Sequence, residues 1–406
     1  MGMKWTEEQS KVITLRDRNI LVSAAAGSGK TAVLVQRILS KIMDPDRPVD
    51  IDRLLIMTFT RAAAGEMKER ISNAIDQALY ENPDNEHLQR QAALIHNAQI
   101  TTIDGFCSYI IRNYFHMVEL DPGYRTAEEG ELKLLQEDVM KDLLEEAYEK
   151  ADPKFLSLVE CYASGKSDDE IRDMVYKLYQ AAMSHPYPEE WLEECMEVYR
   201  VQTIEELRET SWIQLLWETL DEKLDQAEAL TESARKICNE PDGPYFYDEA
   251  LVDDLNFWRE VRRCRETKDY DKVADILSGH TFAKLSAKRD SSIDPVKKEQ
   301  AKELRDEEKE ICKDLSTKFF NQKEEILLEL IACAREPLEG LVELTLQFKE
   351  AFSSKKREKN LLDFTDMEHF ALRILVEKVD GELIPTQAAR ELSEKYEEVM
   401  VDEYQD

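Results

Sequence analysis

Along the first 120 residues, short apolar runs alternate with stretches whose apolar side chains return every third or fourth position. The run "NILVSA" (19–24) precedes "TAVLVQRILSKIM" (31–43), in which Leu34, Ile38 and Ile42 fall on one helical face. "RLLIMTF" (53–59) precedes the helical "AAAGEMKERISNAIDQAL" (62–79), and "AQITTI" (98–103) precedes "CSYIIRNYFHMV" (107–118). Strand–helix alternation of this kind predicts a parallel sheet covered by helices, with ligands at the carboxyl ends of the strands.

After "ELDPGYRTAEEGE" the β-branched runs nearly vanish, and amphipathic helix patterns take over to about residue 360. In "ELKLLQEDVMKDLLEEAYEK" (131–150), Leu132, Leu135, Val139, Leu143 and Ala147 share one stripe. Proline-bearing stretches such as "SHPYPEE", "NEPDGPYF" and "SSIDP" separate the helices, and no fixed-period repeat is present. "LLDFTDMEHFALRILVEKV" (361–379) then predicts a helix, and "YEEVMVDEYQD" a strand that ends in carboxylates. The expected organisation is an α/β core, 1–120 and 361–406, interrupted by a large all-helical insertion, 121–360.

Composition narrows this picture. With 42% hydrophobic and 34% charged residues in 406, the chain suits a soluble, helix-rich globular protein. The formal net charge of -32 argues against a sequence-wide electrostatic hold on nucleic acid. The first 120 residues are nearly neutral, however, so the acidity belongs to the remainder and leaves room for a local groove. "SAKRDSSIDPVKKEQAKELR" and "SSKKREKN" read as solvated basic helix faces, with contact to duplex phosphates as the alternative. The seven cysteines show neither C-x-x-C nor zinc-ligand spacing and are expected to be buried, reduced thiols. There is no hydrophobic signal core at the N-terminus and no apolar run long enough to span a bilayer, which predicts a cytoplasmic protein without membrane contact.

The candidate chemistry lies at the two ends of the core. "SAAAGSGKT" follows a predicted strand and opens a predicted helix, the setting of a phosphate-binding P-loop. Ala24, Ala25, Ala26, Gly27, Ser28 and Gly29 belong to the expected ATP-binding segment, in which the backbone N–H groups of Ala26 to Lys30 would wrap the phosphates. Lys30 would reach the β- and γ-phosphates, and Thr31 would set its hydroxyl on Mg²⁺. Ala24 stands at the first glycine position of G-x-x-x-x-G-K-S/T. A P-loop ATPase also needs a strand that ends in an aspartate on the Mg²⁺ side and a neighbouring carboxylate to activate water. "VMVDEYQD" offers Asp402 for the first role and Glu403 for the second.

Together these motifs resemble the first half of superfamily-one DNA helicases of the UvrD, Rep and PcrA type, and most of all the AddA (RexA) branch of the AddAB helicase-nucleases and its relative RecB. "WTEEQ" is similar to the family's adenine-reading segment, which implies that Gln9 bonds the adenine edge. "SAAAGSGKT" resembles motif I, and "MTFTRAAAGEMKERI" resembles motif Ia, with Thr58, Phe59, Thr60 and Arg61 lining a single-strand path. "ITTIDGFC" resembles motif Ib, where Asp104 and Gly105 replace the common His and Ser. A carboxylate suits a phosphate poorly, so Thr102 and Phe106 are the better contacts there. "LLDFTDM" matches the aspartate-rich segment after the insertion, and "VDEYQD" matches motif II.

The resemblance implies a RecA-like ATPase core (1A) with a 1B-like insertion, using ATP and Mg²⁺, moving 3'-5', and acting on single-stranded and duplex-end DNA in recombinational repair. It also implies a heterodimer with an AddB-like (RexB-like) subunit. The family's second RecA-like domain and C-terminal nuclease carboxylates do not appear in these 406 residues. The expectation is therefore an N-terminal portion that binds ATP, Mg²⁺ and DNA but lacks coupled unwinding and nuclease activity. The alternatives are a stand-alone UvrD-like repair helicase and a nucleotide- or DNA-binding module without turnover.

Overall fold

The strands are β1 (Leu54–Thr58), β2 (Gln99–Thr102), β3 (Arg125–Thr126), β4 (Leu361–Leu362), β5 (Val376–Val379), β6 (Glu382–Pro385) and β7 (Glu398–Val401). They belong to a computed structural model that describes residues 4–25, 27–163 and 167–404. The chain divides into two compact units, 1–142 with 349–406, and 143–348. Because the division follows packing, its boundaries lie inside the long helices Glu129–Lys150 and Glu324–Glu358, not at the ends of the expected 121–360 insertion.

In the first unit β2, β1 and β7 form a parallel sheet in that order. Ile56 pairs with Ile100 on one side and Met400 on the other, so the two ends of the sequence meet in one ladder. The pleat sends successive side chains to opposite faces. Leu54 and Ile56 enter a core with Ile38, Ile42, Met67 and Ile71, whereas Leu55 enters one with Ile110, Ile111, Phe370 and Ile374. Helices Lys30–Ile42 and Arg61–Glu81 supply the first face, and helices Ile103–Tyr114 and Phe364–Leu375 supply the second. Burial on both faces explains why β1 reads as an unbroken apolar run.

Two expectations change here. The segment 19–25 is not assigned as a strand, and Leu21 is 84% exposed, because no neighbouring strand supplies a ladder for it among the described residues. The apolar tail of "LLDFTDMEHFALRILVEKV" leaves the helix at Leu375, and β5 turns back as an antiparallel hairpin with β6. Asp380 and Gly381 at its tip have φ of 52° and 86°, the left-handed pair that a tight hairpin turn requires.

The second unit is helical. Helices Ser211–Cys238, Asp248–Glu266, Tyr270–Gly279 and Pro295–Asp314 close on Trp217, Leu220, Leu224, Trp258, Val261 and Ile311. A polar chain crosses this interior. Arg305 donates two hydrogen bonds to the carboxylate of Asp254, at 2.6 and 3.0 Å, and the Trp258 indole donates to Glu308 at 2.6 Å.

Four cysteines, at 107, 238, 264 and 312, are buried and reduced, and burial pushes the Cys107 thiol up to about 12. Cys161, Cys195 and Cys333 are exposed, contrary to the expectation of buried thiols throughout, since all three lie on outward helix positions. Among the described residues no helix is long and apolar enough to cross a membrane.

Candidate functional site

The expected phosphate-loop side is built by two glycines and a helix start. Gly27 and Gly29 have φ of 78° and 86°, a backbone conformation that costs glycine little and other residues more. Gly29 is the N-cap of helix Lys30–Ile42, and no side chain caps that end. The first-turn N–H groups therefore keep the affinity for an anion that a helix N-terminus provides. Ser28 N–H donates to the Ala25 carbonyl at 3.2 Å, and Lys30 Nζ donates to the Ala24 carbonyl at 3.0 Å, folding the ammonium back along the loop. Ala26, expected to contribute a backbone N–H, lies outside the described residues.

Gln9 is fixed by its own helix, Glu7–Thr14. In a capping box its side-chain oxygen accepts from Thr6 N–H at 2.9 Å, while its backbone N–H donates to Thr6 Oγ1 at 3.2 Å. The remaining amide donor reaches the Ser28 carbonyl at 3.2 Å. Two motifs separated in sequence thus meet at the phosphate loop.

The acidic side is delivered by β7. Asp402 N–H donates to the Met57 carbonyl at 2.9 Å, continuing the ladder one step beyond the strand. Thr31 Oγ1 donates to Asp402 Oδ2 at 3.2 Å, across 371 residues of sequence. Both atoms are hard oxygens of the kind Mg²⁺ takes, and Mg²⁺ usually keeps waters and substrate phosphates as its other ligands. The pair therefore fits such an ion. Glu403 follows with φ of 56°, so the backbone turns sharply just after Asp402. Thr31, Asp402 and Glu403 line a cavity of about 280 Å³ together with Thr58, Phe59, Thr60 and the first turns of helix Arg61–Glu81.

That shared cavity brings the expected nucleic-acid side next to the expected metal side. Phe59 is 61% exposed at the end of β1, which rules out a core role for its ring. Thr60 Oγ1 accepts from Ala63 N–H at 3.1 Å and caps helix Arg61–Glu81, leaving Arg61 exposed in its first turn. Thr58 is buried within the sheet.

At the β2 end the hydroxyl of Thr102 is engaged as an N-cap, accepting from Gly105 N–H at 3.1 Å. A Cβ on Gly105 would sit 2.2 Å from Thr101 Oγ1, so a larger residue in this first helical turn would have to displace the Thr101 hydroxyl. Phe106 stacks on Tyr109 with ring centroids 6.0 Å apart and meets Tyr396 edge-on, so it is held inside an aromatic cluster. Burial raises the Asp104 carboxyl, and the positive charge of Arg61 opposes that rise. Of the expected nucleic-acid contacts, Phe59, Thr60 and Arg61 face outward together. Thr58 and Thr102 are buried, and Phe106 is partly buried.

The aspartate-rich segment after the insertion has a different occupation. Lys356 Nζ donates to Asp363 and Asp366 at 2.7 Å each, and the two carboxylates also close a capping box on helix Phe364–Leu375.

Three features of this unit escaped the sequence reading. Glu66 and Arg70, paired one helical turn apart, line the same cavity as Asp402. Phe364, 51% exposed in the first turn after Asp363, is a second outward aromatic. Arg37, 6% exposed on the inner side of helix Lys30–Ile42, bonds two other elements. Nothing in the spacing of helix Lys30–Ile42 singled out the last, since Ser40 and Lys41 follow it one turn on.

A sequence profile of the UvrD/REP helicase N-terminal domain matches residues 5–406. The A-subunit of an ATP-dependent helicase/nuclease from Lachnoclostridium phytofermentans is 48% identical over 404 residues, 99% of this chain and 29% of that protein. Proteins of the same name from Clostridium perfringens and Bacillus pumilus are 42% and 38% identical, over 100% and 99% of this chain and 32% of each relative. The chain thus spans about a third of the length of the curated relatives it matches.

Proposed function

The chain belongs to the UvrD/REP helicase family through the family's N-terminal domain, and from that premise we propose that it carries the ATP-binding half of a DNA helicase motor of the AddAB helicase-nuclease type. Its α/β unit is a RecA-like 1A core, the helical unit corresponds to 1B, and the whole protein acts on DNA ends in recombinational repair beside an AddB-like subunit. The names of the relatives, all helicase/nuclease subunits, support this over a stand-alone helicase. The carrying observation is the 3.2 Å hydrogen bond from Thr31 to Asp402, which joins the phosphate loop and the acidic strand end into one site.

The residues divide the work. The uncapped N-terminus of helix Lys30–Ile42 and the loop from Ala24 to Gly29 receive the phosphates, and Lys30 exchanges the Ala24 carbonyl for phosphate oxygens. Thr31 and Asp402 would hold Mg²⁺, which when bound neutralises charge on the phosphate oxygens. Glu403, turned by its left-handed backbone, accepts the proton of the water that attacks the terminal phosphorus, giving ADP and inorganic phosphate. Phe59 offers a base-stacking face, with Thr60 and Arg61 beside it for the backbone. Because Phe59, Thr60, Asp402 and Glu403 share one cavity, a shift of β1's end on DNA binding is felt at the hydrolytic carboxylate.

Binding of a fluorescent ATP analogue with Mg²⁺ tests the site. Lys30→Ala removes a charge-assisted contact of about 1.5–3 kcal/mol, so its affinity should fall roughly 10- to 100-fold. Equal affinity of the two proteins would remove the assignment of the phosphate loop.

A further inference from the structure

Three elements meet behind the phosphate loop at a single guanidinium. Arg37 Nε donates to Glu398 Oε1 at 2.6 Å, at the first residue of β7. Its Nη1 donates to the carbonyls of Val12 and Leu15, at 2.5 and 2.7 Å. These are two of the carbonyls that the C-terminus of helix Glu7–Thr14 leaves without intrahelical partners, and a cation is favoured there. The same helix carries Gln9 in its first turn, locked by the Thr6 capping box and aimed at the Ser28 carbonyl.

We infer that Arg37 is a positioning residue for adenine recognition, which acts through helix Glu7–Thr14 to hold the Gln9 amide at the edge of the phosphate loop. This rests on the reading of Gln9 as the adenine-facing group. The logic is one of unequal dependence. Glu398 has a second cation, Lys41, paired to its other oxygen, so β7 keeps a charge partner without Arg37. Val12 O has no donor besides Arg37 among the described contacts. Leu15 O is otherwise reached only by Arg16 at 3.3 Å, and Ile13 O is held by Arg16 and by the Ser40 hydroxyl. Arg16 flanks the same helix in sequence, and it touches helix Lys30–Ile42 only through Ser40 Oγ, at 3.0 Å. An eight-residue helix is too short to be stable by itself, so its orientation depends on such tethers. Losing Arg37 should loosen the purine end of the site and spare the phosphate and metal end.

The test is a double-mutant cycle on the full chain with Arg37→Met, Arg37→Lys, Gln9→Ala and the two combinations. The probes are a fluorescent ATP analogue and competing inorganic tripolyphosphate, both with Mg²⁺. Tripolyphosphate needs the loop, Lys30 and Thr31 but has no base. Arg37→Met should weaken the ATP analogue roughly tenfold and change tripolyphosphate less than about twofold. Arg37→Lys, which keeps the charge but not the planar fork, should fall in between. In the Gln9→Ala background either Arg37 substitution should cost less than about twofold more, since the group it positions is gone. Equal losses of analogue and tripolyphosphate, or losses that multiply fully with Gln9→Ala, would overturn the inference. If Arg37→Met does not fold, the Arg37→Lys cycle decides the question in the same way. A wild-type chain that binds tripolyphosphate but not the analogue, or neither, removes the nucleotide reading itself. Normal wild-type binding with no effect of either substitution removes only the role of Arg37.

Discussion

Phe59 stands at a strand end with most of its ring in solvent, between a buried threonine and a threonine that caps the next helix. Exposing an aromatic ring beside a cation is what sequence-tolerant single-strand binding requires, because every base has a face to stack and every nucleotide a phosphate. Phe59→Ala should therefore lower affinity for a single-stranded oligonucleotide on the order of tenfold, from a stacking loss of about 1–3 kcal/mol. Arg61→Ala should reduce the steepness of the salt dependence by about 0.7 in log–log slope, as expected for one phosphate contact on a single strand. Binding isotherms at several salt concentrations measure both, and an unchanged slope would remove Arg61 from the path. At this scale the sequence was most informative where chemistry demands residue order. Spacing alone proposed Lys30, Thr31, Asp402 and Glu403, and the fold joins Thr31 to Asp402 by a hydrogen bond. It was least informative where a role depends on direction. The hydroxyls of Thr60 and Thr102 look alike in sequence and both cap helices, yet only Thr60 is left facing outward beside an exposed aromatic.

At the scale of elements, the period of the apolar pattern identified β1, β2, β7 and the helices that flank them, because burial on one or two faces enforces it. It failed in two places for physical reasons. The run 19–24 has the composition of a strand but no paired neighbour among the described residues, and a strand exists only through its ladder. The β5–β6 hairpin was hidden in an apolar helix tail, although "VDGE" carries the Asp-Gly signal of a tight turn. The packing of helix Pro295–Asp314 on Ser211–Cys238 and Asp248–Glu266 was not legible either, because it depends on which charges are buried. Glu308 is fully buried, its Oε2 has no partner, and burial pushes its carboxyl up to about 7 despite the hydrogen bond from Trp258. The nearby Asp254 adds to the rise, and Thr231 and Arg305 oppose it. The unfolded carboxyl ionises near 4.5. Stability from the retained proton is therefore complete below that pH, declines as pH rises through the interval, and is lost above about 7. Glu308→Gln, which keeps the acceptor for Trp258, should add up to about 3 kcal/mol of stability at pH 8 and change it little at pH 4.5. Denaturation followed by tryptophan fluorescence at the two pH values checks this, and an equal effect at both would mean that Glu308 is ionised in the fold.

For the molecule as a whole, the chain interrupts one unit with another that has its own core, and the change of apolar period near residue 120 does not coincide with the division at residue 142. The expected insertion, 121–360, begins and ends outside the packing unit 143–348 because helices Glu129–Lys150 and Glu324–Glu358 are continuous through its two boundaries, and periodicity registers no break inside a helix. Every group assigned to nucleotide lies in the discontinuous unit. Four of the five tryptophans, 191, 212, 217 and 258, lie in the helical one. A ligand that binds only the folded form stabilises what it touches by RT ln(1 + [L]/Kd), about 2.7 kcal/mol at a hundredfold excess over Kd. Mg²⁺ with a non-hydrolysable ATP analogue should therefore slow hydrogen exchange in peptides covering helix Lys30–Ile42 and β1. Peptides from Ser211–Cys238 and Asp248–Glu266 should be unaffected, and the tryptophan-detected midpoint should stay where it was. Equal protection in both sets would mean that the two units unfold as one cooperative block, so that the insertion takes part in the energetics of the ATP site despite its separate core.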